Sequence, residues 1–222
     1  MEPREQLPAI KSQLRLFMNG AVAASMREKG AGYRFNLGLE LPRIKAIAAA
    51  YPKDHSLAQA LWKDELRECR ILATLLQPAE SFLPEIADIW VEQIHQLELA
   101  EQASMNLFQH LPYAPAKSFQ WIADEREFVQ VCGFLMIARL LSRKNQMNER
   151  AAGEFIDQAV CSFLSGSYHV RNASLAAIRR FVQDGANAFR LCRRIEQMEN
   201  SPSEDEQLLY RAVSEELSAL DE

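Results

Sequence analysis

The amino-acid sequence predicts an all-α protein. Glycine and proline number only 8 and 9 in 222 residues, whereas Ala, Leu, Glu, Gln and Arg, which cost least free energy in a helix, dominate the composition. Apolar residues recur at spacings of three and four along almost the whole chain, and they do not alternate as they would in half-buried strands. Because 48% of the residues are hydrophobic, the chain can bury one sizeable core, and we predict a single domain over residues 1–222.

The helical pattern divides into segments separated by glycine and proline. A first helix is predicted from about Pro3 to Arg27, before the glycines of "KGAGYRFNLGLELP". Pro42 suits the first turn of the next helix, since its missing N–H would have no acceptor there. Asp54 and Asn148 suit the N-cap positions of two later helices. The helices after the first are predicted over residues 43–51, 55–63, 66–76, 80–95, 97–111, 115–125, 126–144, 149–164, 168–184, 186–199 and 203–220.

Short loops join these segments into helix pairs of about 35–45 residues, a length typical of HEAT repeats. The pattern therefore favours a HEAT-like right-handed α–α superhelix of about 11 or 12 helices, in which each pair buries its apolar face against its neighbours. No crisp repeat consensus is present, so a globular helical bundle is an alternative on the pattern alone.

Several classes of protein are disfavoured. No stretch of 18 apolar residues lacks a charge, which predicts no membrane span, and the N-terminus lacks the apolar segment of a signal peptide. We therefore expect a cytoplasmic protein. The four cysteines form no CxxC pair and are expected to be reduced, buried thiols. The histidines are scattered and no phosphate-binding glycine loop is present, so neither a metal nor a cofactor is predicted.

The net charge of −5 is unevenly distributed. Residues 195–222 hold nine acidic residues and one basic residue, a net charge of −8, whereas residues 169–194 hold six arginines and one aspartate, a net charge of +5. A basic stretch is thus followed by an acidic helical tail from about residue 200. Either these are two solvated helix faces whose charges pair with neighbouring helices, or the basic stretch binds phosphates.

Two motifs carry a family resemblance. The first is "GLELPRIKAIA" at 38–48, and the second is Leu61-Trp62 followed by "ECRILA" at 68–73. In this order and near this separation they resemble the DNA alkylation repair family, the AlkD-like HEAT-repeat alkylpurine DNA glycosylases. The resemblance is best over residues 30–110 and weaker to about residue 195.

The same motifs also have architectural interpretations. Trp62 is expected to fill the gap between adjacent helix pairs. Glu68 and Arg70 are two residues apart and do not face each other on one helix. Each is therefore expected to tie its helix to a neighbouring helix or loop.

The resemblance implies hydrolysis of the bond between a cationic alkylated base and its sugar. A carboxylate between tryptophans stabilises the oxocarbenium-like transition state of that reaction. The family's Asn-Trp-Asp run matches Gln96-Leu97-Glu98, and its catalytic Asp, four residues beyond the Trp, matches Glu101. Leu97 and Glu101 share one helix face. A carboxylate is thus retained at the catalytic position, but its aromatic neighbour is replaced by leucine.

Two further family positions have also changed. Ala176 stands where a second family Trp is expected, and a family Arg falls near Val131. Glu101 is therefore the candidate catalytic residue of a DNA glycosylase whose activity on alkylated purines we expect to be weak or lost. The chain is an enzyme only if that activity survives.

The resemblance and the basic stretch together predict binding of duplex DNA, alkylated or damaged DNA included. In a HEAT-like array, successive second helices line the concave face, so their basic groups can form a groove whose affinity for phosphates falls steeply with salt. The predicted DNA-binding residues are Arg139, Arg143, Lys144, Arg171, Arg179, Arg180, Arg190, Arg193 and Arg194.

Two alternatives concern the same surface. A protein-interaction scaffold with a protein partner fits the acidic balance and the missing aromatic residues. The acidic C-terminal helix is also able to fold back on the arginines and regulate access to them, in which case truncation after Glu199 raises the affinity for DNA.

Overall fold

The computed structural model describes residues 3–143 and 146–220, with side chains from residue 6 onward. The described residues form thirteen α-helices and three short 3-10 helices, and their one extended pairing is an isolated bridge between Phe35 and Leu66. The helices are α1 Pro3–Leu16, α2 Gly20–Glu28, α3 Leu41–Ala48, α4 His55–Trp62, α5 Arg67–Leu76, α6 Pro84–Glu92, α7 Leu97–Asn106, α8 Ala114–Ile122, α9 Glu127–Ser142, α10 Glu149–Ser165, α11 Tyr168–Phe181, α12 Gly185–Ile195 and α13 Glu204–Leu220. The all-α prediction is confirmed. None of the helices described has the length and apolar character that a membrane crossing requires.

The additional helix arises from a break inside the first predicted segment. α1 ends at Leu16 and α2 begins at Gly20. Asn19 caps α2, because its side-chain oxygen accepts the Val22 N–H at 3.2 Å, while its own N–H donates to the Leu37 carbonyl at 2.8 Å. The prediction of one helix from Pro3 to Arg27 is therefore wrong. A short polar side chain that bonds the local backbone favours a cap over a helix interior.

Three other predicted helix starts are confirmed, whereas the helix predicted over residues 80–95 begins only at Pro84. Asp54 accepts the Leu57 N–H at 2.7 Å, and Asn148 accepts the Ala151 N–H at 2.9 Å. Pro42 lies in the first turn of α3. Each cap satisfies a backbone donor that the helix itself leaves unpaired.

The helices recur in pairs with a period shorter than predicted. The first helices of three successive pairs begin at His55, Pro84 and Ala114, and the second helices begin at Arg67, Leu97 and Glu127. These starts are 29 or 30 residues apart, so the predicted pair length of about 35–45 residues is wrong for this part of the chain. The difference follows from the short helices, since α4 to α8 each contain only 8–10 residues.

The chain forms two compact units, Met1–Tyr113 and Ala114–Glu222. In the first unit, α5 packs against α3, α4 and α7, and α1 packs against α4. In the second unit, α9 packs against α8 and α11, and α10 packs against α11, α12 and α13. The single domain over residues 1–222 stays a prediction.

The cysteines differ in their exposure. Cys69 and Cys132 are buried, Cys192 is half-buried and Cys161 is exposed, and all four are free. Burial raises the pKa of the Cys69 thiol to about 12, so it stays neutral. The prediction of free thiols is confirmed, and that of burial is wrong for Cys161.

The first motif depends on the backbone of Gly38. Its φ is +75°, a conformation that residues with a Cβ rarely adopt. A Cβ at this position would lie 2.2 Å from the Asn19 carbonyl oxygen and 2.7 Å from the Ala23 nitrogen. A glycine is therefore required where the connection before α3 passes the start of α2.

We predict that Gly38→Ala lowers the free energy of unfolding by at least about 1–3 kcal/mol, because the left-handed backbone is strained by any side chain. Gly153→Ala is the matched control. A Cβ at Gly153, inside α10, meets no atom within 4 Å, so this substitution raises stability by about 0.5–1 kcal/mol. Urea unfolding of both variants measures the difference. Equal effects would contradict the assignment of strain to position 38.

Candidate functional site

The guanidinium of Arg67 is buried at the start of α5, where the side chain is only 3% exposed. Its Nε donates to Glu98 Oε2 at 2.6 Å and its Nη2 to Glu98 Oε1 at 2.5 Å. Its Nη1 donates to the Leu39 carbonyl at 2.8 Å and to Glu68 Oε1 at 2.9 Å. Two carboxylates thus compensate the buried charge, one of them through paired, charge-assisted hydrogen bonds.

Tyr33 completes this group, which we name the Arg67 cluster and which consists of Tyr33, Arg67, Glu68 and Glu98. The Tyr33 hydroxyl donates to Glu98 Oε2 at 3.0 Å, and burial followed by the charge of Glu98 raises the pKa of Tyr33 above its ordinary value. The fully buried Glu68 accepts the N–H groups of Leu37 and Leu39, each at 3.2 Å. The cluster therefore joins α5 and α7 to the connection between α2 and α3.

The Arg67 cluster determines which contacts the first turn of α7 makes. Glu98, in the run that matches the family's Asn-Trp-Asp, is engaged by Arg67 and Tyr33. The side-chain oxygen of Gln96 accepts the Gly32 N–H at 3.1 Å. Both polar side chains of this run therefore hold the chain segment before α3 in place, a structural role.

The candidate catalytic residue Glu101 lies exposed on α7. Leu97, one turn before it, is 37% exposed, so the position of the family Trp holds an aliphatic side chain in contact with water. In the second unit, Val131 is fully buried and Ala176 is half-buried. No group of three His, Cys, Asp or Glu residues suited to a metal ion occurs in the part of the chain that the structure describes.

The second motif has the architectural role that its sequence predicts. Trp62 is buried and stacks on Trp90 of α6, with ring centroids 4.0 Å apart and planes 2° from parallel. Its indole N–H donates to Gln93 Oε1 at 2.8 Å. Arg70 lies over the Trp62 ring and donates to the Gln93 carbonyl at 3.0 Å. Trp62, Glu68 and Arg70 each tie one element to another, as expected.

We predict that Glu98→Gln lowers the free energy of unfolding by about 3 kcal/mol, the low end of the range for breaking a buried ion pair, because Arg67 would keep a buried charge with less compensation. Glu101→Gln, one turn along α7, is the matched control and changes stability by less than about 1 kcal/mol. Thermal and chemical unfolding of both variants measure the two effects. Similar losses would show that Arg67 does not depend on Glu98.

Among the predicted DNA-binding residues of the second unit, two on α11 pair with the acidic helix α13. Arg171 Nη1 lies 2.7 Å from Asp205 Oδ1, and Arg179 Nε lies 3.4 Å from Glu216 Oε2. α13 also buries Leu209 and Val213. The acidic helix therefore contacts the basic helix through charge pairs and also buries apolar side chains of its own.

The carboxylates that pair with the arginines of α12 are more exposed than those of α13. Arg190 lies 3.3 Å from Glu149 and Arg194 lies 3.1 Å from Asp157, and the side chains of these two α10 carboxylates are 86% and 71% exposed. Exposed pairs of this kind contribute only about 0–1 kcal/mol each. A phosphate can therefore replace the carboxylate at small cost.

An exposed aromatic ring lies beside these arginines. Phe189 of α12 is 64% exposed, and the guanidinium of Arg193 lies over it, 6.0 Å from the ring centroid. Phe189 is not among the DNA-binding residues predicted from the sequence, although the helical periodicity of α12 indicates its exposure. Leu191 and Ile195 are four apart and mark the buried face of α12, and Phe189 falls off that face.

The remaining predicted residues lie at the ends of α9 and α11. Arg180 of α11 is exposed, and together with Arg190 of α12 it lines a cavity of about 660 Å³. Arg139 and Arg143 end α9, Arg139 half-buried and Arg143 exposed. Lys144 lies outside the described residues. The structure thus brings guanidinium groups of α11 and α12 to one cavity and engages Arg171 and Arg179 with α13.

Comparisons with known proteins agree with this architecture. A solved structure is described as "a new family of proteins related to the HEAT-like repeat DNA glycosylases with affinity for branched DNA structures". The two folds superimpose with a TM-score of 0.74 over 94% of each chain, at 12% sequence identity. The protein therefore has the HEAT-like helical-repeat fold, as predicted.

The particular family follows from the sequence. The family model of the DNA alkylation repair enzyme matches residues 10–161, more than half of the chain. The chain belongs to that family. No curated protein matches it.

Proposed function

We propose that the protein binds DNA through the accessible arginines of α11 and α12. We name this set the basic surface, and it consists of Arg180, Arg190, Arg193 and Arg194. The observation that carries the proposal is that Arg180 and Arg190 line one cavity although they come from different helices. Membership in the DNA alkylation repair family supports the same class of partner.

Electrostatics favours phosphate as the ligand of the basic surface. Guanidinium groups bind phosphate oxygens through paired hydrogen bonds. The competing carboxylates Glu149 and Asp157 are exposed, so water screens their pairs with the arginines. A DNA backbone offers a higher density of negative charge and releases its counterions on binding.

The proposed DNA is branched as well as duplex. The structurally similar protein is described as having affinity for branched DNA. A branch point exposes base faces that a continuous duplex hides. The exposed ring of Phe189, flanked by arginines, is suited to stack on such a face, an interaction that tolerates any base.

Base excision is not part of the proposed function. An oxocarbenium-like transition state needs a carboxylate held close to the sugar in a shielded site. Glu101 is exposed, Leu97 replaces the neighbouring aromatic residue, and Glu98 is engaged by Arg67. We therefore propose recognition of DNA without release of alkylated purines.

We predict that the protein binds a branched DNA and a duplex of the same length with an affinity that falls steeply with salt. Replacing Arg180 and Arg193 with Gln lowers the affinity, and the slope of log K against log salt decreases by about 1 for each DNA phosphate that the variant no longer neutralises. Mobility shift or anisotropy at several salt concentrations measures both quantities.

The matched control for this experiment is Arg150→Gln. Arg150 lies on α10 of the same unit, pairs with Glu154 and has its side chain 89% exposed, so this variant removes one positive charge without replacing a residue of the basic surface. An equal loss of affinity in Arg150→Gln would show that the loss follows from the change in net charge and not from the basic surface. Absence of binding to any DNA at low salt would contradict the proposed function.

We further predict that 7-methylguanine is not released from duplex DNA above the rate in buffer, because the Leu97–Glu101 face lacks an aromatic partner for the cationic base. Chromatographic detection of the free base checks this. Release that Glu101→Gln abolishes would instead establish Glu101 as a catalytic residue.

A protein-interaction scaffold is a second candidate, and a specific observation favours it. Leu16, Phe17 and Met18, at the end of α1 and in the turn before α2, are 78%, 44% and 61% exposed. Three consecutive exposed apolar side chains suit a contact with another protein. A specific partner whose binding requires these three residues, together with no shift of DNA at low salt, would favour the scaffold over DNA binding.

A further inference from the structure

The cavity between the ends of α9 and α11 and the start of α12 has the chemistry of a nucleotide site. We propose that it binds one nucleotide, with the phosphate on Arg180 and Arg190 and the base against Leu141 and Met147. The proposal deepens the proposed function where the nucleotide belongs to DNA, and it stands without that function where the nucleotide is free.

The size and lining of the cavity fit such a ligand. Its volume is about 660 Å³, within the range of about 300–1,000 Å³ typical of small-molecule sites. The lining includes both apolar and polar residues. Besides Arg180, Arg190, Leu141 and Met147, the lining residues are Ser142, Gln146, Phe181, Gln183, Asp184, Ala186 and Asn187.

The charges in the cavity favour an anion. Among the described residues that line the cavity, Asp184 is the one acidic residue, and its carboxylate caps α12, where it accepts the Asn187 N–H at 3.1 Å. Arg180 and Arg190 contribute two positive charges, so these lining residues carry a net charge of +1. Glu149, which pairs with Arg190, is exposed and lies outside this lining.

Arg190 is held in position for this role. Its Nη1 donates to Asn187 Oδ1 at 3.4 Å. Its Nη2 lies 3.3 Å from Oε1 of the exposed Glu149, the carboxylate that a phosphate would displace. Asn187 is only 7% exposed, so it forms a fixed anchor for the guanidinium. A side chain that is already oriented loses less conformational entropy when it binds a phosphate.

The nucleotide can come from two sources. At the branch point of a DNA, an unpaired nucleotide is available without the cost of breaking a base pair and its stacking. A free mononucleotide offers the same phosphate and base. An experiment with one arm for each source distinguishes them.

The probe is 2-aminopurine, whose fluorescence depends on its surroundings. One arm uses a three-way junction with 2-aminopurine at an unpaired position, and the other uses 2-aminopurine deoxyribose monophosphate. The full chain is titrated into each, alongside Arg180→Gln, Ala186→Trp and Arg150→Gln. Ala186 is exposed and lines the cavity, so Trp at this position fills it without a change of charge. Circular dichroism confirms that each variant is folded.

The proposal expects a saturable fluorescence change in at least one arm. It further expects that Arg180→Gln weakens this response about tenfold, the loss of one charge-assisted hydrogen bond, that Ala186→Trp abolishes it, and that Arg150→Gln leaves it unchanged. A response to the junction alone identifies the DNA nucleotide as the ligand, and a response to the monophosphate alone identifies a free nucleotide.

Two results would overturn the proposal: no response in either arm, or a response that Ala186→Trp does not change. Neither depends on the proposed function, which is judged by the mobility shift of unlabelled DNA. If the protein retards DNA in the mobility shift but gives no fluorescence response in either arm, it binds DNA without using the cavity.

Discussion

The buried charge of Arg67 is the constraint on which the first unit depends. A guanidinium removed from water is tolerated only where carboxylates compensate it, and here Glu98 and Glu68 do so from the next repeat and from the adjacent position. Because Glu98 lies in the first turn of α7, this requirement uses the carboxylate of the run that matches the family's Asn-Trp-Asp. The ion pair between Arg67 and Glu98 thus joins α5 to α7 and also gives the carboxylate of this turn a structural role.

Four side-chain contacts of the first unit share one spacing in the sequence. The hydrogen bonds Trp62–Gln93, Trp90–Gln59, Arg67–Glu98 and Tyr113–Phe82 each join residues 31 apart in sequence. An offset one or two residues longer than the repeat period means that nearly corresponding positions of successive repeats meet, as expected where each repeat contacts only its neighbours. Polar contacts at these positions fix the register of one repeat on the next, a task that apolar packing alone performs with less specificity.

The sequence predicts the features of this fold that are local, and it misses those that depend on distant partners. Asp54, Asn148 and Pro42 indicate helix starts because a cap acts within three residues. The break at Asn19 depends on a hydrogen bond to Leu37, which follows α2 in the sequence. The periodicity of the apolar residues does not indicate this contact. The sequence shows that the arginines of α11 and α12 form a basic stretch. It does not show whether each arginine pairs with a carboxylate or is available to a phosphate. Asp205 lies 34 residues from Arg171, and only the packing of α13 brings them together.

The position of α13 also bears on how a chain with a net charge of −5 can bind DNA. Binding responds to the local field and not to the sum over the molecule. α13 sets its carboxylates against Arg171 and Arg179, and Arg190 and Arg194 of α12 pair with exposed carboxylates of α10. The negative charge of the tail is thus partly neutralised at α11. Since Leu209 and Val213 of α13 are buried, releasing this helix would expose apolar surface. That truncation after Glu199 raises the affinity for DNA stays a prediction. On the proposed function, DNA would compete at α12 with these exposed carboxylates of α10.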